Sequence, residues 1–306
     1  MTRRPAPAET PTRPEPLYLK PRNDETVPPP IPDSVTTEDV IARGPHGAVP
    51  LRVYNPATRP TATLLWMHGG GFSRGTLDWP EAHLVSGEIA ARASARVVSV
   101  DYRLAGNGIL FPVPLDDAYA AWEWLATEFP PSEGEIRALG GASAGAALAL
   151  GCAIRGRDAS LPADRLLLAY PFAHYPSPAL DAGTIREMEG MPGIHRFPPA
   201  TVDEMVAAYV GRTTDLPRLA LPGAARLDGL PRTVVALSQY DELRPSGELL
   251  GRQLTSVGVP VRLHVARGMP HGHLNHWPSP AEASASLDFL AAALTPVTAP
   301  GKAAGS

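Results

Sequence analysis

Short apolar runs rich in β-branched residues alternate with stretches of helical spacing along most of the chain. The strand-like runs are TATLLWMH, ARVVSVDY, EIRALGG, RLLLAYPF, TVVALSQY and VPVRLHVA. The helix-like stretches are 80–94, DDAYAAWEWLATEF, AGAALALGCAIRG, PSGELLGRQLTSVG and PAEASASLDFLAAAL. Apolar strands that are separated by helices are typical of a parallel sheet covered on both faces. The pattern predicts a doubly wound α/β fold.

Two more strand-like runs, VTTEDVIA and VPLRVYNP, come before these and flank the turn residues GPHGA. Two β-rich runs separated by a short turn predict an antiparallel hairpin. The hairpin adds strands at one edge of the sheet, so we expect about eight strands, most of them parallel.

The chain divides into four predicted parts. Residues 1–34 form an arm, because ten prolines in the first 32 residues exclude regular helix or central strand. The α/β core covers 35–172 and 229–295, and residues 296–306 form a flexible tail. Residues 173–228 are too many for an ordinary crossover, so we expect a cap inserted over the sheet edge where ligands bind.

Composition narrows the class of protein. Of the 306 residues, 44% are hydrophobic and 19% charged, a globular balance, and a net charge of −4 without long runs of one sign gives no reason to expect nucleic-acid binding. No stretch approaches the length of an apolar membrane span, and the basic start lacks an apolar segment, so we expect a cytoplasmic protein. The single cysteine, Cys152, excludes an internal disulfide and is expected to pack in a helix.

The stretch GGASAGAALAL contains a G-x-S-x-G pattern from Gly141 to Gly145, between a predicted strand and a predicted helix. Such a tight turn lifts the serine above the sheet edge, and the glycines remove side chains that would clash. The pattern predicts Ser143 as a nucleophile.

A glycine-rich turn, WMHGGGF, ends the third predicted strand. Consecutive glycines let backbone N–H groups point at a developing negative charge. The amides of Gly70 and Gly71, with that of Ala144 after the nucleophile, therefore predict an oxyanion hole. His68, in the same turn, is interpreted as a structural hydrogen-bonding residue.

A nucleophilic serine needs a base, and the base needs an acid that fixes its tautomer. After a serine on such a strand-to-helix turn, the acid and then the histidine follow along the chain. Asp241 follows the seventh predicted strand in ALSQYDELRP, and His271 follows the eighth in ARGMPHG. We predict that they complete a triad with Ser143.

Three histidines, His271, His273 and His276, lie within GMPHGHLNHWP. Such spacing can gather imidazoles around zinc. A binuclear metallohydrolase motif of this kind would carry Asp in place of Asn275, and no histidine follows His276 to supply further ligands. We therefore expect no metal, with His271 acting as a base.

The motifs HGGGF, VDYRLA, GASAG, YDELR and PHG, in this order and at these intervals, resemble those of the bacterial hormone-sensitive-lipase-like carboxylesterases, often called family IV. The resemblance covers about residues 45–295. It implies the α/β-hydrolase fold, Ser143 as nucleophile, His271 as general base and Asp241 as its orienting acid, without a cofactor.

The chain departs from that family close to the nucleophile, where Ala142 replaces the usual Asp or Thr and Ala146 the usual Gly. His273 stands where the family usually has an aromatic residue in the pocket wall, so it either lines the pocket or fills space. Phe72 and Trp79, just after the oxyanion turn, are expected to wall the same pocket.

Four charged residues are interpreted as structural. Asp101 and Arg103, in VDYRLA, are expected to form a pair. Asp116 and Asp117 open a predicted helix, where carboxylates favour the positive end of the helix dipole.

These residues favour a serine carboxylester hydrolase that acts on short-chain acyl or aryl esters. The same triad could cleave an amide, a lactone or an acetylated natural product, or transfer an acyl group, since those reactions differ in pocket shape rather than machinery. A non-catalytic ligand-binding protein of the same fold is a further alternative, although such proteins usually lose a triad member. We expect a small-molecule ester as partner, and a monomer or homodimer.

Overall fold

A computed structural model of the chain describes residues 28–191, 196–276 and 280–295. Most of the predicted arm of 1–34 and all of the predicted tail of 296–306 lie outside the described residues. The described end of the arm packs on the first helix, where a Cβ added to Gly87 would lie 2.6 Å from the side chain of Ile31. The four predicted part boundaries stay a prediction.

Eight strands within the described residues form one sheet. They are β1 (Val35–Gly44), β2 (Gly47–Pro56), β3 (Ala62–Met67), β4 (Ala95–Val100), β5 (Ile136–Ala142), β6 (Arg165–Ala169), β7 (Arg232–Tyr240) and β8 (Val261–Pro270). Their order across the sheet is β1-β2-β4-β3-β5-β6-β7-β8. The β1–β2 and β2–β4 pairs are antiparallel and the other pairs are parallel. The predicted edge hairpin and mostly parallel sheet are confirmed.

Helices cover both faces of this sheet. The described residues contain α1 (His83–Ala93), α2 (Val113–Glu128), α3 (Ala144–Asp158), α4 (Ala182–Glu189), α5 (Pro199–Val210), α6 (Arg244–Ser256) and α7 (Ala281–Ala291). Side chains of β3 alternate between two cores, Leu65 towards α2, α3 and α6 and Leu64 towards α1 and α7. β3 is buried on both faces, which is why its sequence is a continuous apolar run.

Some elements differ from the sequence-based expectation. Helix α2 begins at Val113, three residues early, because Pro114 fits a first turn that needs no amide donor. Helix α4 was not predicted. Its first turn is capped by the side chain of Asp181, which accepts the amide of Thr184 at 2.9 Å, and it buries only Met188, so its apolar pattern is weak.

The segment between β6 and β7 holds α4, α5 and a short 3₁₀ helix, Pro222–Ala224. Helix α5 buries Val202, Val206 and Tyr209 against the core that contains α3. This segment therefore packs on the same side of the sheet as the helix that follows Ser143.

Candidate active site

Ser143 lies at a sharp turn between β5 and α3. Its φ of 53° and ψ of −116° are unfavourable for a residue with a side chain. A Cβ on Gly141 would lie 2.4 Å from the carbonyl oxygen of Gly145, and one on Gly145 would lie 2.2 Å from that of Met67. Both glycines of the G-x-S-x-G pattern are therefore required by close backbone contacts. The amide of Ala144 opens α3, where helix amides lack partners within the helix.

The three residues of the predicted triad lie in one hydrogen-bonded line. His271 Nε2 lies 2.8 Å from Ser143 Oγ, and His271 Nδ1 lies 2.7 Å from Asp241 Oδ2. The second oxygen of Asp241 accepts the amide of Leu243 at 2.8 Å, and the carboxylate is completely buried. An ionised carboxylate only accepts, so Nδ1 carries the proton and Nε2 is left to accept the serine proton.

The glycine turn after β3 lies against Ser143. A Cβ on Gly69 would lie 3.1 Å from that of Ser143. Gly70 and Gly71 have φ values of 105° and 61°, and a Cβ on Gly70 would overlap the carbonyl oxygen of Arg74 at 2.1 Å. The Gly70 carbonyl accepts the amide of Arg74 at 3.0 Å. Because C=O and N–H of a trans peptide point in opposite directions, the Gly71 amide faces away from that turn.

Phe72, predicted to wall the pocket, lies between the glycine turn and α5. It is fully buried, and its ring stacks on Tyr209 of α5 and packs near Phe172. A Cβ on Gly71 would lie 3.5 Å from the sulfur of Met205. Helix α5 therefore packs directly on the glycine turn.

Trp79 and His68 contact each other behind the glycine turn. The half-buried ring of Trp79 lies 6.5 Å from that of His68 between centroids. His68 stacks on Tyr102 and its Nδ1 donates to the carbonyl of Gly69 at 2.7 Å. Burial lowers the pKa of His68 to about 4. A neutral, buried ring that supports the turn fits the structural interpretation of His68, and the pocket role of Trp79 stays a prediction.

Of the two alternatives for His273, the structure favours space filling over lining the pocket, because the ring is turned into the core. His273 is fully buried, with Nδ1 2.8 Å from Ser238 Oγ and Nε2 2.9 Å from Ser286 Oγ. The Ser286 hydroxyl donates to the carbonyl of Glu282, so Nε2 is the donor and Nδ1 the acceptor. Burial, reinforced by three nearby histidines, lowers the pKa of His273 to about 3.

The three clustered histidines do not converge on a metal. Both ring nitrogens of His271 and of His273 bond to protein groups, as described above. Neither ring offers a free nitrogen to an ion in this arrangement. His276 is half-buried, and this burial lowers its pKa.

A contact that the sequence did not predict joins the residues just before α5 to the loop bearing Asp241. Glu242 bonds Arg196 at 2.7 Å and also accepts the amide of Phe197. The ring of Phe197 meets that of His271 edge-on, with centroids 4.6 Å apart. The signal available in the sequence was the acidic residue beside Asp241, but its two partners lie 46 and 45 positions earlier in the chain.

The expected pair between Asp101 and Arg103 is wrong. Arg103 instead bonds the fully buried Asp117, through its side chain at 2.6 Å and its amide at 2.9 Å. Asp116 bonds Arg155 at 2.7 Å. The structural interpretation of both helix-opening carboxylates fits these contacts.

Two further observations concern the thiol of Cys152 and the character of the helices. Burial raises the pKa of Cys152 to about 12, which fits a packed thiol. Within the three described ranges, no helix has the length and apolar character needed to cross a membrane.

A serine on a strand-to-helix turn, a histidine and a buried aspartate at the carboxyl edge of this sheet together define an α/β-hydrolase. A family profile described as alpha/beta hydrolase fold matches residues 64–275. The chain is 32% identical to Esterase LipI of Mycobacterium tuberculosis over 264 residues, covering 81% of this chain and 78% of that one. It is 34% identical to Carboxylesterase NlhH of the same species over 239 residues, covering 74% and 72%.

Solved structures give the same result. An esterase of Pyrobaculum calidifontis is 30% identical, with a TM-score of 0.75 over 85% of this chain and 84% of that one. The carboxylesterase EstE1, cloned from a metagenomic library, is 29% identical, with a TM-score of 0.76 over 88% and 90%. The chain belongs to the α/β-hydrolase fold family, in its hormone-sensitive-lipase-like branch, and the resemblance drawn from the motifs is confirmed.

Proposed function

We propose that the protein is a serine carboxylesterase that cleaves short-chain acyl or aryl esters through an acyl-enzyme, without a cofactor. The hydrogen-bonded line from Asp241 through His271 to Ser143 carries the proposal. Ester cleavage is favoured over amide or lactone cleavage because relatives with at least 30% identity over most of the chain are named as esterases.

In the first half of the reaction, Ser143 Oγ attacks the ester carbonyl carbon while His271 Nε2 accepts the hydroxyl proton. The resulting imidazolium is stabilised by the buried carboxylate of Asp241. His271 then returns the proton to the leaving alcohol, and the C–O bond to the alcohol breaks.

In the second half, water attacks the acyl-enzyme. His271 accepts a proton from the water and returns it to Ser143 as the acid is released. In both halves a negative charge develops on the former carbonyl oxygen. We assign its stabilisation to the amides of Gly70, Gly71 and Ala144, and preorganised donors of this type are worth about 10²–10³ in kcat each.

The proposed pocket lies between the oxyanion turn and α5. The contact of Phe72 with Tyr209, and the closeness of Met205 to Gly71, support a wall made of apolar side chains. Such a wall suits acyl or aryl groups without charge. Trp79 is proposed for the outer part of that wall.

The test is hydrolysis of p-nitrophenyl esters with acyl chains of about two to twelve carbons, a range that sizes the pocket. Wild type is compared with Ser143→Ala and with Ser256→Ala, a matched control at an exposed serine at the end of α6. A parallel wild-type sample contains EDTA.

We expect activity in the wild type and in Ser256→Ala, loss of activity in Ser143→Ala, and no effect of EDTA. Activity that survives Ser143→Ala would overturn the mechanism. Activity that disappears with EDTA would point to metal-dependent hydrolysis, and a folded wild type without activity on any ester would point to another acyl substrate or a binding role.

A further inference from the structure

The carboxyl group of Glu81 lies fully buried in the connection between β3 and α1. Its Oε2 accepts the amide of Gly69 at 2.5 Å. Its Oε1 accepts the side-chain amide of Asn275 at 2.9 Å and the hydroxyl of Tyr170. Three donors from three separate segments therefore converge on one buried carboxyl group, and no step of the proposed mechanism uses it.

The main chain of Glu81 is held in the same region. Its amide donates to Asn275 Oδ1 at 3.3 Å, and its carbonyl accepts the indole N–H of Trp66 at 2.8 Å. Trp66 is a buried residue of β3. The carboxyl group therefore extends from a backbone that is fixed to the central sheet.

The contacts of Glu81 suit a carboxylate. Two of its three partners, the Gly69 amide and the Asn275 NH₂ group, can only donate to it, and an ionised carboxylate only accepts. The pKa of Glu81 is raised, because the effect of burial exceeds that of the hydrogen bonds from Tyr170 and Gly69 and of the nearby ring of His271, which lower it. Removing the negative oxygen would leave buried donors unpaired, at a cost of about 1–3 kcal/mol for each.

One contact of Glu81 fixes the start of the oxyanion turn. Gly69 is held at both ends, with its amide on Glu81 and its carbonyl on His68 Nδ1 at 2.7 Å. The next two residues are Gly70 and Gly71, which have no side chains to hold them in place. Their amides keep their direction because the residue before them is anchored.

The other two contacts lead to the base. The ring of Tyr170 meets that of His271 edge-on, with centroids 4.9 Å apart. Asn275 lies in the 3₁₀ helix, His273–Asn275, that follows His271, and its amide donates to the carbonyl of Gly272 at 2.9 Å. Glu81 therefore connects the oxyanion turn to the segment and the ring that support His271.

We propose that Glu81 is a positioning residue of the ester-cleaving site. Its buried carboxyl group holds the oxyanion amides and His271 in their positions relative to Ser143, and it does not touch the substrate. The inference rests on the proposed function. It predicts that Glu81 acts on the transition state, because the relative placement of the oxyanion donors and the base matters most when charge develops on the carbonyl oxygen.

The decisive variant is Glu81→Gln, which keeps the volume but replaces one accepting oxygen with an NH₂ group that faces a donor. The matched control is Glu135→Gln, at a half-buried glutamate that bonds Thr63 at the opposite edge of the sheet. Tyr170→Phe is a milder second variant, since it removes one donor and keeps the ring on His271. Melting temperature and circular dichroism report folding, and titration to completion with a fluorophosphonate counts active sites.

We expect kcat per titrated site to fall about 10- to 100-fold in Glu81→Gln, with KM within about twofold of wild type. A trifluoromethyl ketone forms a tetrahedral adduct with an oxyanion, so its affinity should fall by the same factor as kcat/KM. In Tyr170→Phe, kcat per titrated site and ketone affinity should also fall while KM stays close to wild type, but the fold-change should be smaller than in Glu81→Gln. Glu135→Gln should keep wild-type kcat and ketone affinity even where its melting temperature falls.

The inference is overturned if Glu81→Gln and Tyr170→Phe keep wild-type kcat per titrated site, or if only the titratable fraction and melting temperature fall. In that case wild-type ester hydrolysis leaves the proposed function intact. If wild type hydrolyses no ester and Ser143 reacts with no fluorophosphonate, the proposed function fails and this inference fails with it.

Discussion

The ring of Phe72 stacks face to face on the ring of Tyr209, with centroids 3.7 Å apart and planes 3° apart. Phe72 directly follows Gly70 and Gly71, and Tyr209 belongs to α5. Phe111 meets the same tyrosine edge-on, and its amide donates to the Tyr209 carbonyl at 2.8 Å. One side chain of α5 is therefore packed against both the glycine turn and the residues just before α2.

Substituting Tyr209 separates the packing of its ring from the effect of its hydroxyl. The hydroxyl is buried and has no hydrogen-bond partner among the described residues. Tyr209→Phe should keep the free energy of unfolding or raise it by up to about 1 kcal/mol, because an unpaired buried group is removed. Tyr209→Ala should lower it by about 3–5 kcal/mol through the cavity it leaves. Urea denaturation of both variants measures this, and a large loss in Tyr209→Phe would contradict it.

Substituting the acid of the triad tests the assigned tautomer. Asp241→Asn keeps the shape, but its amide group can pair with the other tautomer of His271, in which Nε2 carries the proton and no longer accepts from Ser143. We expect kcat for p-nitrophenyl acetate to fall about 10³- to 10⁴-fold. Asp158→Asn, at an exposed carboxylate at the end of α3, is the control and should keep wild-type kcat. A loss below tenfold in Asp241→Asn would contradict the assignment.

The buried ring of His273 predicts how stability depends on pH. Its pKa falls from 6.5 to about 3 on folding, so between these values the unfolded chain binds the proton and the folded chain does not. The stabilising contribution is complete above pH 6.5 and is lost as the pH falls towards 3, by up to about 1.4 kcal/mol per pH unit.

The measurement is urea denaturation of wild type and His273→Gln at several pH values from 7.5 down to 4.5. Gln can donate to Ser286 and accept from Ser238, so the variant should fold, with a lower free energy of unfolding at neutral pH. Its loss of stability with acid should be shallower than that of wild type. Equal slopes would show that His273 is not buried as a neutral ring.

The contact of Glu242 with the cap predicts an effect on substrate binding. Glu242→Ala releases Arg196 and the amide of Phe197, whose ring lies against His271. Substrate must then order this segment on binding, which should raise KM several-fold while kcat stays within about threefold. Steady-state kinetics with acetyl and hexanoyl esters measure this, with Glu123→Ala on the exposed face of α2 as the control. Unchanged KM would show that the contact does not shape the pocket.

Sequence reasoning predicted the elements whose signal is local. The sheet could be predicted from the apolar runs of the parallel strands and the helical spacing between them, because the inner strands β3 to β7 bury both of their faces. The G-x-S-x-G turn at Ser143 could be predicted because the backbone contacts that require its two glycines lie within a few residues.

The parts that sequence reasoning missed depend on partners distant along the chain. Arg103 bonds Asp117 rather than Asp101, and His273 turns inward because the Ser238 hydroxyl donates to its ring and the Ser286 hydroxyl accepts from it. Glu81 gave no signal, since Asn275, one of its partners, is 194 positions away. Only the fold brings such groups together.

The connection between β6 and β7 is much longer than the distance that it has to span. The two strands are parallel neighbours, so the chain has to return over a five-residue strand, a distance of about 17 Å. Doubling the length of a flexible connection costs only about 0.6 kcal/mol of closure entropy. We therefore expect residues 173–228 to be a segment that relatives can exchange to alter selectivity, while Tyr170 and the turn that presents Ser143 stay unchanged.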